Sequence, residues 1–230
     1  MTSVNSMASS IPVINLLDVG SVQERVNKIT DDFLSALPNS AQLSSQERRG
    51  IIARYAAVLE GNFIYWMTGA YLSAKTDEAR SIILDNLHEE IGDCHPGMMR
   101  RFALAAHAVP TDADAAAVYQ NLSSVRMFVA RLSSVPMVVM MAFFEGLIQK
   151  FMPYLADLAA RQGSQEMEYT DVHGVCDIAH TAGLYFALEA EAALSPLAPS
   201  ADPFEGVVLL RTLLETIVYG RDRMVSAAAN

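Results

Sequence analysis

Three side chains near residue 175 have the types and the spacing of metal ligands: His173, Asp177 and His180. The steps of four and three residues place all three on one face of an α-helix. Two imidazoles and a carboxylate suit iron, manganese or zinc. The flanking residues are mostly apolar: Val172, Val175, Ile178, Ala179, Leu184 and Phe186. We therefore expect this face to point into a core, where the alternative to a metal site is a polar cluster whose members satisfy one another.

A further candidate ligand is Glu145, a lone carboxylate within an apolar segment. One helical face offers at most three ligands, so a metal centre needs groups from other helices. The neighbours of Glu145 one turn away, Met141, Ala142 and Ile148, are apolar, and burial is therefore expected. A buried charge without a partner costs on the order of several kcal/mol, so Glu145 would need one. A solvent-exposed position is the alternative.

The last candidates lie where one predicted helix ends and the next begins. Glu89 and Glu90 would end a helix, and His95 stands directly before Pro96, a residue typical of a first helical turn. We expect a glutamate and His95 to converge across the intervening turn, with Glu89 and Glu90 as alternatives. A solvated pair of glutamates at a helix end is the interpretation without a metal.

Helical patterns dominate the chain, and no stretch alternates in the manner of a strand. Caps, prolines and glycines predict about seven to eight helices. Their predicted ranges are 21–37, 44–71, 76–92, 96–107, 112–132, 136–160, 165–194 and 203–224. No repeat or linker divides the chain. We therefore predict a single all-α bundle over residues 1–230, with residues 1–12 and 226–230 disordered.

Composition limits the partners and the compartment. The net charge is -10, which argues against a nucleic-acid partner and against an anionic membrane surface. The longest apolar run, residues 135–144, is too short to span a bilayer, and residues 1–10 lack the features of a secretory signal. Only two cysteines are present. A cytoplasmic, reduced setting, a small-molecule substrate and no membrane association are expected, with homodimerisation left open.

In their order along the chain, these candidates resemble the haem-oxygenase-like non-haem diiron oxidases and oxygenases. That family's pattern is a Glu, a His before a Pro, a second Glu about fifty residues later, and then His-x3-Asp-x2-His. Here Glu145 lies 50 residues after His95, and His173 lies 28 residues after Glu145. The segment 86–92 is also similar to the family's Asn-Leu-x-x-Glu-x-Gly stretch. The resemblance covers residues 45 to about 194 and implies six metal ligands: Glu90, His95, Glu145, His173, Asp177 and His180.

The resemblance implies a haem-oxygenase-like bundle around two iron ions, with O2 as co-substrate. Members of the family N-oxygenate amines, cleave C–C bonds of amino acids or fatty acids, or form alkenes and nitriles. The turn before His95 is shorter than in many members, which keeps Glu89 open as a ligand. Glu60 is a candidate for the additional carboxylate that some members use, with a core-edge or surface position as the favoured alternative. A metal-free protein of the same fold, or a zinc hydrolase with three protein ligands, are the alternatives.

The candidates for substrate binding are Arg126, Arg131 and Tyr185. Either arginine could hold a carboxylate through paired N–H bonds, and the tyrosine could line a pocket. An amino acid or a derivative is the expected substrate. A fatty acid is the alternative, because the Met-rich sixth helix could line a long apolar channel.

Overall fold

The computed structural model describes residues 17–194, 197 and 201–227, with side chains up to residue 220. These residues form eight α-helices and no strand, so the predicted all-α bundle is confirmed. The helices are α1 (Val19–Ser35), α2 (Ser45–Ser73), α3 (Asp77–Gly92), α4 (His95–Ala105), α5 (Asp112–Val129), α6 (Ser134–Arg161), α7 (Glu168–Leu194) and α8 (Glu205–Ala227). Segment 1–12, predicted to be disordered, lies outside the described residues. Of segment 226–230, only residues 226 and 227 are described, at the end of α8.

The central element of the bundle is α6, which contacts α1, α2, α4, α7 and α8. Every residue from Ser134 to Glu145 is buried, as expected for a helix that is apolar on all sides. Among the described helices, α6 is the one long and apolar enough to cross a membrane. However, 83% of its most apolar window is buried by the other helices. This burial is consistent with the core helix of a soluble protein.

Local capping explains where α2 and α3 begin. The Ser44 hydroxyl accepts the backbone N–H of Glu47, and the Glu47 carboxylate accepts the backbone N–H of Ser44. This reciprocal pair satisfies two N–H groups that a helix start leaves unpaired. At the start of α3, the Thr76 hydroxyl accepts the N–H of Ala79. Both starts agree with the sequence prediction.

Several helix ends differ from prediction by two or three residues, and local conformation explains three of them. His107 and Leu132 adopt left-handed conformations, with φ of 52° and 51°, so α4 and α5 end a few residues early. The α7 helix begins at Glu168 rather than at residue 165, because the Ser164 hydroxyl accepts the Glu166 N–H in a turn before it. Left-handed φ is uncommon outside glycine, even for histidine, which adopts it more often than most residues, so the sequence does not predict these two positions.

Glu191 on α7 connects three helices of the bundle. Its fully buried carboxylate accepts the backbone N–H groups of Lys75 and Thr76 and the hydroxyl groups of Thr76 and Ser134. Thr76 caps α3, and Ser134 is the first residue of α6. Glu191 therefore fixes α7 to the starts of α3 and α6, the three helices on which most of the predicted ligands lie.

We predict that Glu191→Ala lowers the free energy of unfolding by about 3 kcal/mol, because several buried donors lose their acceptor. Urea denaturation followed by circular dichroism measures the change. Glu189→Ala on an exposed position of the same helix is the matched control and should change it by less than about 0.5 kcal/mol. Equal effects of the two substitutions would contradict this role of Glu191.

Candidate metal centre

The first part of the site lies at the short link between α3 and α4. The α3 helix ends at Gly92, Asp93 caps it, and Cys94 takes a left-handed conformation with φ of 56° before His95 opens α4. This two-residue reversal brings the end of one helix against the start of the next. The Oε2 atom of Glu90 lies 2.6 Å from Nδ1 of His95, and both side chains are buried.

One face of α7 supplies the second part. His173 and Asp177 are buried, and His180 is nearly so. Val175 and Ile178, on the opposite face, are 71% and 56% exposed. The three polar residues thus point inward, as their spacing predicts. Of the apolar neighbours from which we expected that orientation, Leu184 is buried and Val172 is half-buried, whereas the others lie on the outer surface: Val175, Ile178, Ala179 and Phe186.

Tyr169 holds His173 in one orientation. The His173 Nδ1–H donates to the backbone carbonyl of Tyr169 at 2.7 Å, and the two ring centroids lie 4.2 Å apart. With Nδ1 engaged, Nε2 is left as the ligand atom. Burial lowers the pKa of His173 to about 4, so the ring is neutral at pH 7. A neutral, oriented imidazole is the form that binds a metal ion.

The predicted ligands gather in two groups. In the first, the ligand atoms of Glu90, His95 and His173 lie within 4.8 Å of one another. The rings of His95 and His173 meet edge to face, with centroids 4.5 Å apart. This group combines residues from α3, α4 and α7.

The second group surrounds His180. Its Nδ1 lies 3.8 Å from Oε2 of Glu145 on α6 and 3.8 Å from Oδ1 of Asp177. The thiol of Cys176 donates to Oδ1 of Asp177 at 3.2 Å. Burial raises the pKa of that thiol, which keeps it protonated and favours a supporting position over a ligand position.

Glu89 and Glu90 each contact one histidine. Glu90 is buried and lies against His95, while Glu89 is exposed and accepts a hydrogen bond from Nε2 of His180 at 3.0 Å. Glu90 therefore belongs to the first group, and Glu89 reaches the second group from the solvent side. The assignment of Glu90 as the ligand stays a prediction.

A narrow cavity adjoins both groups. Its volume is about 20 Å³, room for about one water molecule. Its polar lining is Glu60, Glu90, His95, Glu145, Tyr169, His173 and Asp177. Its apolar lining is Leu59, Phe63, Pro96, Met99, Phe144 and Ile148. The lining comes from α2, α3, α4, α6 and α7, so five helices meet at this point.

Three buried ligand atoms on the cavity lining have no hydrogen-bond partner: Nε2 of His95, Oε1 of Glu145 and Oδ2 of Asp177. Buried polar atoms are nearly always paired, and each unpaired one costs about 1–3 kcal/mol. One imidazole nitrogen and two carboxylate oxygens around one cavity are acceptors that a cation would satisfy. The residues present therefore fit a bound metal.

The electrostatics of the second group favour a cation as well. Burial, followed by the nearby charge of Glu145, raises the pKa of Asp177 to about 10, and burial raises the pKa of Glu145. Burial alone would lower the pKa of His180, but its contact with Glu145 raises it to about 9. At pH 7 without metal, the two carboxylates retain a proton and His180 is cationic. A metal ion would take the place of these protons.

Glu60 lies at the outer end of the cavity. It is partly exposed and accepts a hydrogen bond from Nε of Arg100 on α4. This pairing holds the carboxylate at the mouth, and its role as an additional ligand stays a prediction. Arg100 could not be predicted, because nothing in its local sequence indicates a partner 40 residues away on another helix.

The candidates for substrate binding do not line the cavity. Arg126 donates to the Asn62 side chain at 2.8 Å, and Arg131 pairs with Glu205 at 2.8 Å. Arg126 lies on α5 and Arg131 lies two residues after its end; α5 packs against α2 and α8 and contributes no residue to the cavity lining. Tyr185 is buried outside the lining as well. Their placement on these helix faces depends on the packing of the bundle, which the sequence pattern alone did not predict.

Residues 52–199 match the family of iron-containing redox enzymes. The match covers more than half of the chain and includes all six predicted ligands, and the protein belongs to this family. The predicted resemblance and the haem-oxygenase-like fold are thereby confirmed. A comparison with curated proteins gives no match. Membership of this family establishes that the protein is an iron-containing redox enzyme.

We predict that metal binding releases protons. Fe(II) added anaerobically at pH 7 must displace the proton of the carboxylate pair and that of His180, at least about two per chain. His95 adds to the release in proportion to its protonation, because its contact with Glu90 outweighs burial and raises its pKa. Affinity should rise with pH up to about pH 10, the pKa of Asp177, as competing protons are lost. His173, already neutral, contributes none. Calorimetry in buffers of different ionisation enthalpy counts the released protons. The Asp177→Asn variant should release fewer protons than the parent protein. If no proton is released at pH 7, the metal-free site is not protonated as described.

Proposed function

We propose that this iron-containing redox enzyme binds two iron ions and uses O2 to oxidise a small metabolite that bears a carboxylate. The observation that carries the proposal is the set of three unpaired ligand atoms, on His95, Glu145 and Asp177, between two groups of predicted ligands. Each group offers three side chains, which is enough to hold one ion and leave open positions. Two groups beside one cavity support two ions.

Bound iron would supply the electron-transfer chemistry that activates O2, and the protein residues perform the remaining tasks. Tyr169 orients His173 through its carbonyl, and Glu90 orients His95 through Nδ1. Glu145 and Asp177 balance the positive charge of the ions after losing their proton. The apolar side chains of the lining exclude water from the oxidising centre, which limits side reactions.

The narrow cavity limits the substrate to one that can insert a small end between the helices, which excludes polymers. We propose an amino acid or a derivative of one as the substrate, undergoing N-oxygenation or oxidative C–C or C–N rearrangement. Oxidative decarboxylation of a fatty acid is the second candidate, and the apolar lining supports it. Met137, Met140 and Met141 of α6 are fully buried in the core and do not line the cavity, so the channel expected from them gives that candidate no support.

We predict that anaerobic reconstitution loads about two iron ions per chain. Elemental analysis after removal of unbound metal gives the stoichiometry. His173→Ala should lose iron because it removes an oriented ligand, whereas His88→Ala and His107→Ala, at exposed positions, should load normally. A content near zero in the parent protein, or one zinc retained in preference to iron, would contradict the two-iron proposal.

We predict that Glu145→Ala affects the metal-free protein and the Fe(II)-loaded protein differently. Without metal, the variant should differ little in stability from the parent, because it loses both the burial cost of the carboxylate and its contact with His180. With Fe(II), it should lose both the gain in thermal stability that binding confers and the reaction with O2. Thermal unfolding with and without Fe(II) measures the first effect. If both properties survive the substitution, Glu145 is not a ligand.

A further inference from the structure

Two opposite charges that solvent can reach stand beside the cavity, outside the two groups of predicted ligands. Glu60 on α2 lines the cavity, and Arg100 on α4 donates to it through Nε. The two side chains are 39% and 65% exposed, so both can be reached from solvent. Met99, the residue before Arg100, also lines the cavity. A guanidinium and a carboxylate thus stand together where a molecule would enter.

Each side chain of this ion pair can exchange its partner for an oppositely charged group of a ligand. Exposed ion pairs contribute at most about 1 kcal/mol to stability, so the fold does not depend on it. Arg100 uses one of its five N–H donors on Glu60, and the remaining donors can hold a carboxylate in the two-bond geometry that guanidinium favours. The carboxylate of Glu60 can accept from an ammonium group. Because the chain has a net charge of -10, an anionic ligand needs such a local cation.

We propose that Arg100 and Glu60 bind the charged end of a zwitterionic substrate, an α-amino acid or a close derivative. Arg100 holds the substrate carboxylate, and Glu60 holds its ammonium group. The rest of the substrate then lies against Leu59, Phe63 and Met99, and only a small group of it enters the one-water cavity beside the predicted ligands. The inference rests on the proposed function and adds to it the residues that select the substrate.

The neighbouring residue provides a matched control. Arg101, also on α4, pairs with Glu168 at 2.5 Å, and the two side chains are 53% and 50% exposed. Glu168 does not line the cavity. The two ion pairs are therefore alike in chemistry and exposure but differ in their position relative to the cavity.

The test measures ligand binding and needs no turnover. The twenty common L-amino acids are titrated by calorimetry into the full chain, metal-free and loaded anaerobically with Fe(II). The best binder is then compared with its analogue lacking the amino group, its analogue lacking the carboxylate, and decanoate. Arg100→Gln should weaken amino-acid binding by about tenfold or more, and Arg101→Gln by less than about twofold. Glu60→Gln should weaken amino-acid binding but strengthen binding of decanoate and the deaminated analogue, since it removes their competitor for Arg100.

Several results would overturn the inference. They are no binding by any amino acid, equal effects of Arg100→Gln and Arg101→Gln, or binding that survives removal of the ammonium group in the parent protein. Loss of iron in Glu60→Gln would also overturn it, because Glu60 would then be a metal ligand. Iron content is measured on the same samples. Failure of the two-iron proposal would appear there, whereas failure of the recognition pair would appear in the binding data with iron content intact.

Discussion

Burial of two carboxylates beside one histidine is the constraint on which the site depends. Glu145 and Asp177 both face His180 inside the bundle, where a charged carboxylate is costly to keep. Protonation removes that cost, which is why the pKa of Asp177 rises to about 10. A bound cation would remove it as well. Membership of an iron-containing redox family makes iron the appropriate cation. The carboxylate oxygens of Glu145 and Asp177 that have no hydrogen-bond partner would then bind the iron.

The arrangement of the helices holds these two carboxylates together in one buried place. The buried α6 helix carries Glu145, and the inward face of α7 carries Asp177. Glu191 ties α7 to the starts of α3 and α6, and the two-residue link after α3 returns the chain so that His95 meets Glu90. The predicted ligands therefore lie on helices whose relative positions are set by packing and by buried hydrogen bonds. Glu60 lines the cavity as a partly exposed side chain, and Arg100 pairs with it.

Much of this arrangement could be predicted from the sequence, because its causes are local. The capping pair of Ser44 and Glu47 gives the start of α2, and the spacing of the α7 residues gives one inward face. The ends at His107 and Leu132 could not be predicted, since a left-handed conformation is uncommon for either residue type. The direction in which each helix faces is likewise a property of the bundle. The sequence therefore indicates Arg126 and Arg131 as substrate-binding candidates, but it does not indicate the pairing of Arg100 with Glu60 beside the cavity.

X-ray absorption at the iron edge, on protein loaded anaerobically with Fe(II), tests whether the six predicted ligands hold two iron ions. It reports which atoms bind the metal and whether a second metal lies nearby. Two ions held by Glu90, His95, Glu145, His173, Asp177 and His180 should give imidazole scattering and an iron–iron distance of about 3.5–4 Å. If the iron in fully loaded protein has no second iron nearby, or has no imidazole ligand, the protein does not hold two ions at these residues.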